Sequence, residues 1–221
     1  RNTTAQPPFT QSLPIGFCMR DEQSDLLEEV ESDFASVQLA FDVDSEQVYP
    51  VAAEVLSTIT AGNDDSMLFQ ALREEQALVA EIESQISRVG QFSRLVIRYD
   101  VRSEWLKDTL TKVFAYLHRL TMYVRPARLN QLRTQFTTNN AMLTDDTAAL
   151  NDRLGWAWMS GDTAQADLDA AAAQYNELTA EELLDAAQTV FRPENLSIAV
   201  QYDPEAVSDL RPLLQKLRET L

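Results

Sequence analysis

The chain has 221 residues, 45% of them hydrophobic, enough for a real core in one large domain or two small ones. Its 18 Lys and Arg against 35 Asp and Glu leave a formal charge of −17. Such a chain repels phosphate backbones and anionic lipid, which argues against nucleic acid and membrane surfaces as partners. Cys18 is the only cysteine, so no internal disulfide and no Cys-based zinc cluster can form. It sits in "LPIGFCMR", too short to span a bilayer and no signal-peptide core. A soluble, cytoplasmic protein is the expectation, and an opening on Arg1 without Met suggests a piece of a longer parent.

Residues 1–33 read as a leader or inter-domain linker. "RNTTAQPPFTQSLP" is rich in Thr, Gln and Pro, and "DEQSDLLEEVESD" carries seven acids and no base, at most a loose acidic helix. From Phe34 to Leu221 one domain is expected. "FASVQLAFDV" alternates, with Val37, Leu39, Phe41 and Val43 on one face, and predicts a strand. "DSEQVYPVAAEVLSTITAG" predicts a helix ended by Gly62, and "SMLFQALREE" a second, short one. "LVAEIESQISR" and "QFSRLVIRYDV" alternate on either side of Gly90, the pattern of a β-hairpin.

A long helix is predicted over "SEWLKDTLTKVFAYLHRLTMYV", striped by Leu106, Leu110, Val113, Leu117 and Leu120, and another begins at Pro126. Two further helical stretches flank "WAWMSGD", with Gly161 as the breaker. Thr179 and Glu182 open "TAEELLDAAQTVF" in capping-box register, "ENLSIAVQYD" is a last strand, and "LRPLLQKLRETL" a terminal helix. The order predicts an α+β fold, a mostly antiparallel sheet with helices packed on one face.

Most catalytic motifs are absent from the sequence. A helical zinc site needs two imidazoles four residues apart, and His118 is the only histidine. That residue lies in the long amphipathic helix and reads as structural. No P-loop and no dinucleotide fingerprint occur. The acid pairs Asp64–Asp65, Glu74–Glu75, Asp145–Asp146 and Glu181–Glu182 read as helix-start residues that favour the macrodipole. Trp156, Trp158 and Met159 read as core or interface packing.

Three passages carry a family resemblance. "SMLF" (Ser66 to Phe69), "LRE" (Leu72 to Glu74) and Leu78 stand in order ahead of a strand; "YVRPARLNQLRTQF" follows the long helix; "ELTAEELLDAAQTVFRPENLSIAVQYDP" supplies a helix, turn and last strand. Together, over about Phe34 to Pro204, they resemble the C-terminal, non-zinc-binding half domain of insulinase/pitrilysin-type zinc metallopeptidases.

The resemblance implies a non-catalytic half that shapes a chamber for unfolded peptides. It would support an H-x-x-E-H half in the same parent chain or another subunit, with zinc held there and none here. It also implies a substrate-binding arginine at Arg73, whose partner tyrosine position is Ala80 here. Arg73 as a surface residue paired with Glu74 or Glu75 is the other reading. By strand alternation Ala80 shares a parity with Leu78, Ile82 and Ile86, which predicts a packed face. Two more departures stand out: "TAGNDDS" keeps only Gly62 of a Gly-rich turn, and Gln76-Ala77 replaces a basic residue and glycine. A non-proteolytic peptide-binding or scaffold domain is the alternative, and an uncovered sheet face suggests a homodimer.

Overall fold

The computed structural model describes residues 25–44, 46–89, 92–160 and 168–221. Among these residues five strands form one sheet: β1 (Asp25–Glu29), β2 (Phe34–Val43), β3 (Val79–Val89), β4 (Phe92–Arg102) and β5 (Leu196–Tyr202), in the order β1-β5-β2-β4-β3. All pairs are antiparallel except β1 with β5, which run parallel with Leu27 beside Val200.

Seven α-helices among the described residues follow from the same patterning. They are α1 (Pro50–Ala61), α2 (Leu106–Met122), α3 (Pro126–Met142), α4 (Thr147–Ser160), α5 (Leu168–Glu177), α6 (Ala180–Val190) and α7 (Arg211–Arg218). Proline in the first turn starts α1, α3 and α7, since its missing N–H has no helical partner to lose there. Helix α6 opens with the expected capping box: the Thr179 side chain accepts from Glu182 N, and the Glu182 carboxylate accepts from Thr179 N. Gly62 ends α1 for reasons of space, because a Cβ there would lie 2.6 Å from Thr58 Cα.

The core lies between the helices and one sheet face. Leu39, Phe41, Leu95, Ile97, Leu196 and Ile198 point into it from the strands, and α1, α2 and α6 pack down on them. Phe41 and Phe191 meet edge to face with centroids 5.0 Å apart. The predicted α+β architecture, with helices on one face, is the one observed.

Four expectations change. Where it is described, the acidic run is not helical: its residues 25–29 form β1, so the sheet begins before Phe34. Backbone pairing with β5 and an ion pair from Asp25 to buried Arg218 outweigh the acid run's weak local preference. Helix α1 begins only at Pro50, because Tyr49 is extended, as residues before proline usually are. The short helix is a π-helix over Phe69–Glu74. "WAWM" lies inside α4 and not between helices; Trp158 is 84% and Met159 65% exposed, so these two pack into no core of this chain, and the Trp156 side chain lies outside what is described. Residues 1–24, most of the leader, residues 161–167 with the Gly161 breaker, and Gly90 lie outside the described residues.

Candidate functional site

Strand alternation places a second set of side chains on the sheet face away from the helices. Along β2 and β4 they form a ladder of cross-strand pairs. The Ser36 hydroxyl donates to Asp100 Oδ1 at 2.6 Å, Arg98 Nε to Gln38 Oε1 at 3.0 Å, and Arg94 Nε to Asp42 Oδ1 at 2.7 Å. Ala40 and Val96 pair between the two arginine rungs and are buried there. Further across, Gln201 Nε2 donates to Glu28 Oε2 at 2.7 Å. A groove of about 470 Å³ runs over this face, lined by Glu28, Gln38, Glu81, Glu83, Arg98 and Asp100 among others. Its charged lining residues are acids except for Arg98, and exposed Leu26 adds apolar surface beside them.

Arg73 sits in the π-helix that leads into β3. Wide turns of this kind are defined here by Glu75 N donating to Gln70 O at 2.9 Å. Its guanidinium lies over the Phe69 ring, 4.7 Å from the centroid, and its Nε is 3.9 Å from Glu74 Oε1. The side chain stays 44% exposed, so the ring and Glu74 orient it while its outer N–H groups face water.

Directly after it, Ala77 has φ 51°, a left-handed conformation that penalises a side chain. This is the position where the family resemblance puts a glycine. The backbone turn is kept although the glycine is lost.

Ala80 overturns its sequence expectation. Val79 pairs with Val101 and Ile82 with Tyr99, so Ala80 and Glu81 together oppose Asp100 in a β-bulge. The extra residue flips the strand's phase: Val79 and Ile82 are buried, whereas Ala80 is exposed. The face at Ala80 is open, not packed. Neither Arg73 nor Ala80 lines the groove itself.

The "TAGNDDS" turn is tied to α3. Arg128 Nη2 donates to Asn63 Oδ1 at 3.1 Å, and Asn63 Nδ2 to Gln135 Oε1 at 3.3 Å. Burial pushes the Arg128 guanidinium below its usual value, while the charge of Asp65 pulls it back up.

Among the described residues no three His, Cys, Asp or Glu side chains cluster as a metal site, and His118 sits half-buried on α2. No helix among the described residues is long and apolar enough to cross a membrane.

The described residues thus form an α+β domain with helices on one face of the sheet and the other face left bare. The profile of the peptidase M16 inactive domain matches residues 11–136, more than half of the chain. The chain belongs to that family, the insulinase-like proteases in which one half carries no catalytic site.

Three solved structures show the same fold. The peptidase M16 inactive domain from Pseudomonas fluorescens is 19% identical with a TM-score of 0.69, over 82% of this chain and 44% of that one. A protease from Helicobacter pylori is 14% identical with a TM-score of 0.73, over 84% and 45%. The periplasmic protease PqqL from Escherichia coli is 15% identical with a TM-score of 0.66, over 82% and 21%. The chain thus spans less than half the length of each of these structures. No curated protein matches it.

Proposed function

We propose that this chain is the non-catalytic half of a zinc metalloendopeptidase, walling a chamber for unfolded peptides. An H-x-x-E-H half, in the same parent chain or another subunit, holds the zinc and does the chemistry. The observation that carries this reading is the bare sheet face, whose polar ladder and 470 Å³ groove offer an extended peptide hydrogen-bonding partners on a rigid floor. Arg73, propped on Phe69 beside that face's edge strand, serves as a carbonyl donor to the same peptide.

The test compares the parent carrying both halves with its zinc-bearing half alone. Cleavage of an unfolded, casein-derived peptide mixture should require both, and this chain alone should take up no stoichiometric zinc. Tight one-to-one zinc binding by the isolated chain overturns the proposal.

A second reading, a non-proteolytic scaffold or peptide-binding domain, is favoured by one observation. Ala80 stands at the exposed position where the resemblance calls for a tyrosine hydroxyl. The parent's upstream sequence separates the two: an intact H-x-x-E-H supports the peptidase, its loss the scaffold.

A further inference from the structure

The sheet has two edges, and they differ. Strand β1 is five residues long and carries Asp25, Glu28 and Glu29, so pairing it with a copy of itself would crowd like charges. Strand β3 spans Val79–Val89 and, among the described residues, pairs on one side only, with β4. Among the described residues, no backbone group of β3 bonds outside its own ladder. A long edge with unpaired N–H and C=O groups is a template for another strand.

The side chains of β3 say which strand. Past the bulge, Ile82 and Ser84 are buried toward the helices and Ile86 is half-buried, while Glu83, Gln85 and Ser87 are exposed on the other face. A second copy running antiparallel about a two-fold axis must be centred on a residue, because a centre between residues would swap the two faces.

Centring on Ile82 sets Glu81 against Glu83, and centring on Glu83 sets that carboxylate against itself. Centring on Ser84 brings Ile82 opposite Ile86 in both halves, Glu83 opposite Gln85 and Glu81 opposite Ser87. No like charges face each other, and the isoleucines extend each monomer's core across the junction. Centres further along lose one or both isoleucine pairs.

We propose that two copies of this chain pair through β3, antiparallel and centred on Ser84, to form a continuous ten-strand sheet. The occupant of the edge is therefore a second copy, selected by register and by charge, independently of the peptidase reading. Because each chain carries −17, the copies repel at long range, and salt should tighten the dimer.

Sedimentation equilibrium of the full 221-residue chain, with reductant to keep Cys18 out of play, tests this. The expected result is a reversible dimer that strengthens between low and moderate salt. Gln85→Glu sets carboxylates opposite Glu83 at two symmetric places and should weaken it about two- to thirtyfold; Gln85→Lys, forming ion pairs there, should tighten it. Gln85 is exposed, so both variants should keep the wild-type circular dichroism and melting temperature. A monomer at millimolar concentration overturns the proposal. So does a dimer indifferent to both substitutions, which would place the interface elsewhere, for example at exposed Leu154 and Trp158.

Discussion

Val79 and Ile82 stand three positions apart in one strand, yet both bury their side chains on the same face of the sheet. The bulge between them explains it, and it decides what Ala80 can do. Ala80→Tyr should cost no more than about 0.5 kcal/mol, as surface changes usually do. Ile82→Ala should cost about 2–5 kcal/mol through lost burial and a residual cavity. Urea denaturation of the two variants checks the contrast. In a zinc-bearing two-half parent, Ala80→Tyr should raise peptide cleavage by restoring a hydroxyl donor; an equally large loss of stability in both variants would refute the bulge.

Arg73 is held by Phe69 and touches Glu74 only loosely. Arg73→Ala should therefore lower stability by no more than about 1 kcal/mol. Its effect should instead fall on peptide cleavage by the two-half parent, with Arg73→Lys restoring only part because a lysine lacks the planar fork. Steady-state kinetics beside thermal melts distinguish this from a purely structural arginine.

Ala77 carries the only positive φ of any non-glycine residue among those described, at 51°. Ala77→Gly should relieve about 1 kcal/mol of backbone strain. In a chain of this size that corresponds to a rise of about 2–4 °C in melting temperature. Calorimetry reading no rise, or a fall, would contradict the left-handed turn.

Arg218 is buried at the C-terminal helix, where its Nη1 donates to Leu196 O at 2.6 Å and to Pro193 O at 3.2 Å, and its Nη2 pairs with Asp25. It fastens β1 and β5 to α7. Arg218→Ala should cost about 3–5 kcal/mol, the usual loss when one partner of a buried pair is removed. Amide exchange should then quicken at β1 before the rest of the sheet.

Two tyrosines set an alkaline limit. Burial pushes the Tyr99 phenol far up; Tyr202 is raised too, by burial first and then by Glu29. A raised folded value means that the neutral phenols' contribution is fully present below the ordinary tyrosine value of about 10 and is lost as pH climbs above it. Stability measured by urea titration should be flat in this respect through neutral pH and fall above about pH 10. Tyr99→Phe should blunt that fall, since the Tyr99 hydroxyl has no hydrogen-bond partner to lose among the described residues.

Much of this molecule was legible beforehand. The alternation of "FASVQLAFDV" marks β2 to both its ends, Phe34 and Val43, and Thr179 with Glu182 marks the start of α6. The passages around Ser66–Phe69 and Leu72–Glu74 pointed to the family that the chain proves to belong to. Less could be read where a partner distant in sequence decides. The acids of β1 conceal a strand whose signal is its register on β5, and the parity of Ala80 depends on a bulge opposite Asp100.

The sequence by itself therefore determined most of the elements from Phe34 on, their order and the family, because helix and strand periodicities, caps and prolines act within a few residues of one another. Only the tertiary structure decided which face each side chain takes past the bulge, that residues 25–29 join the sheet, and that Ala80 looks outward. Those outcomes rest on backbone hydrogen bonds between segments up to 173 positions apart, as from Asp25 to Ile198, and no local pattern encodes them.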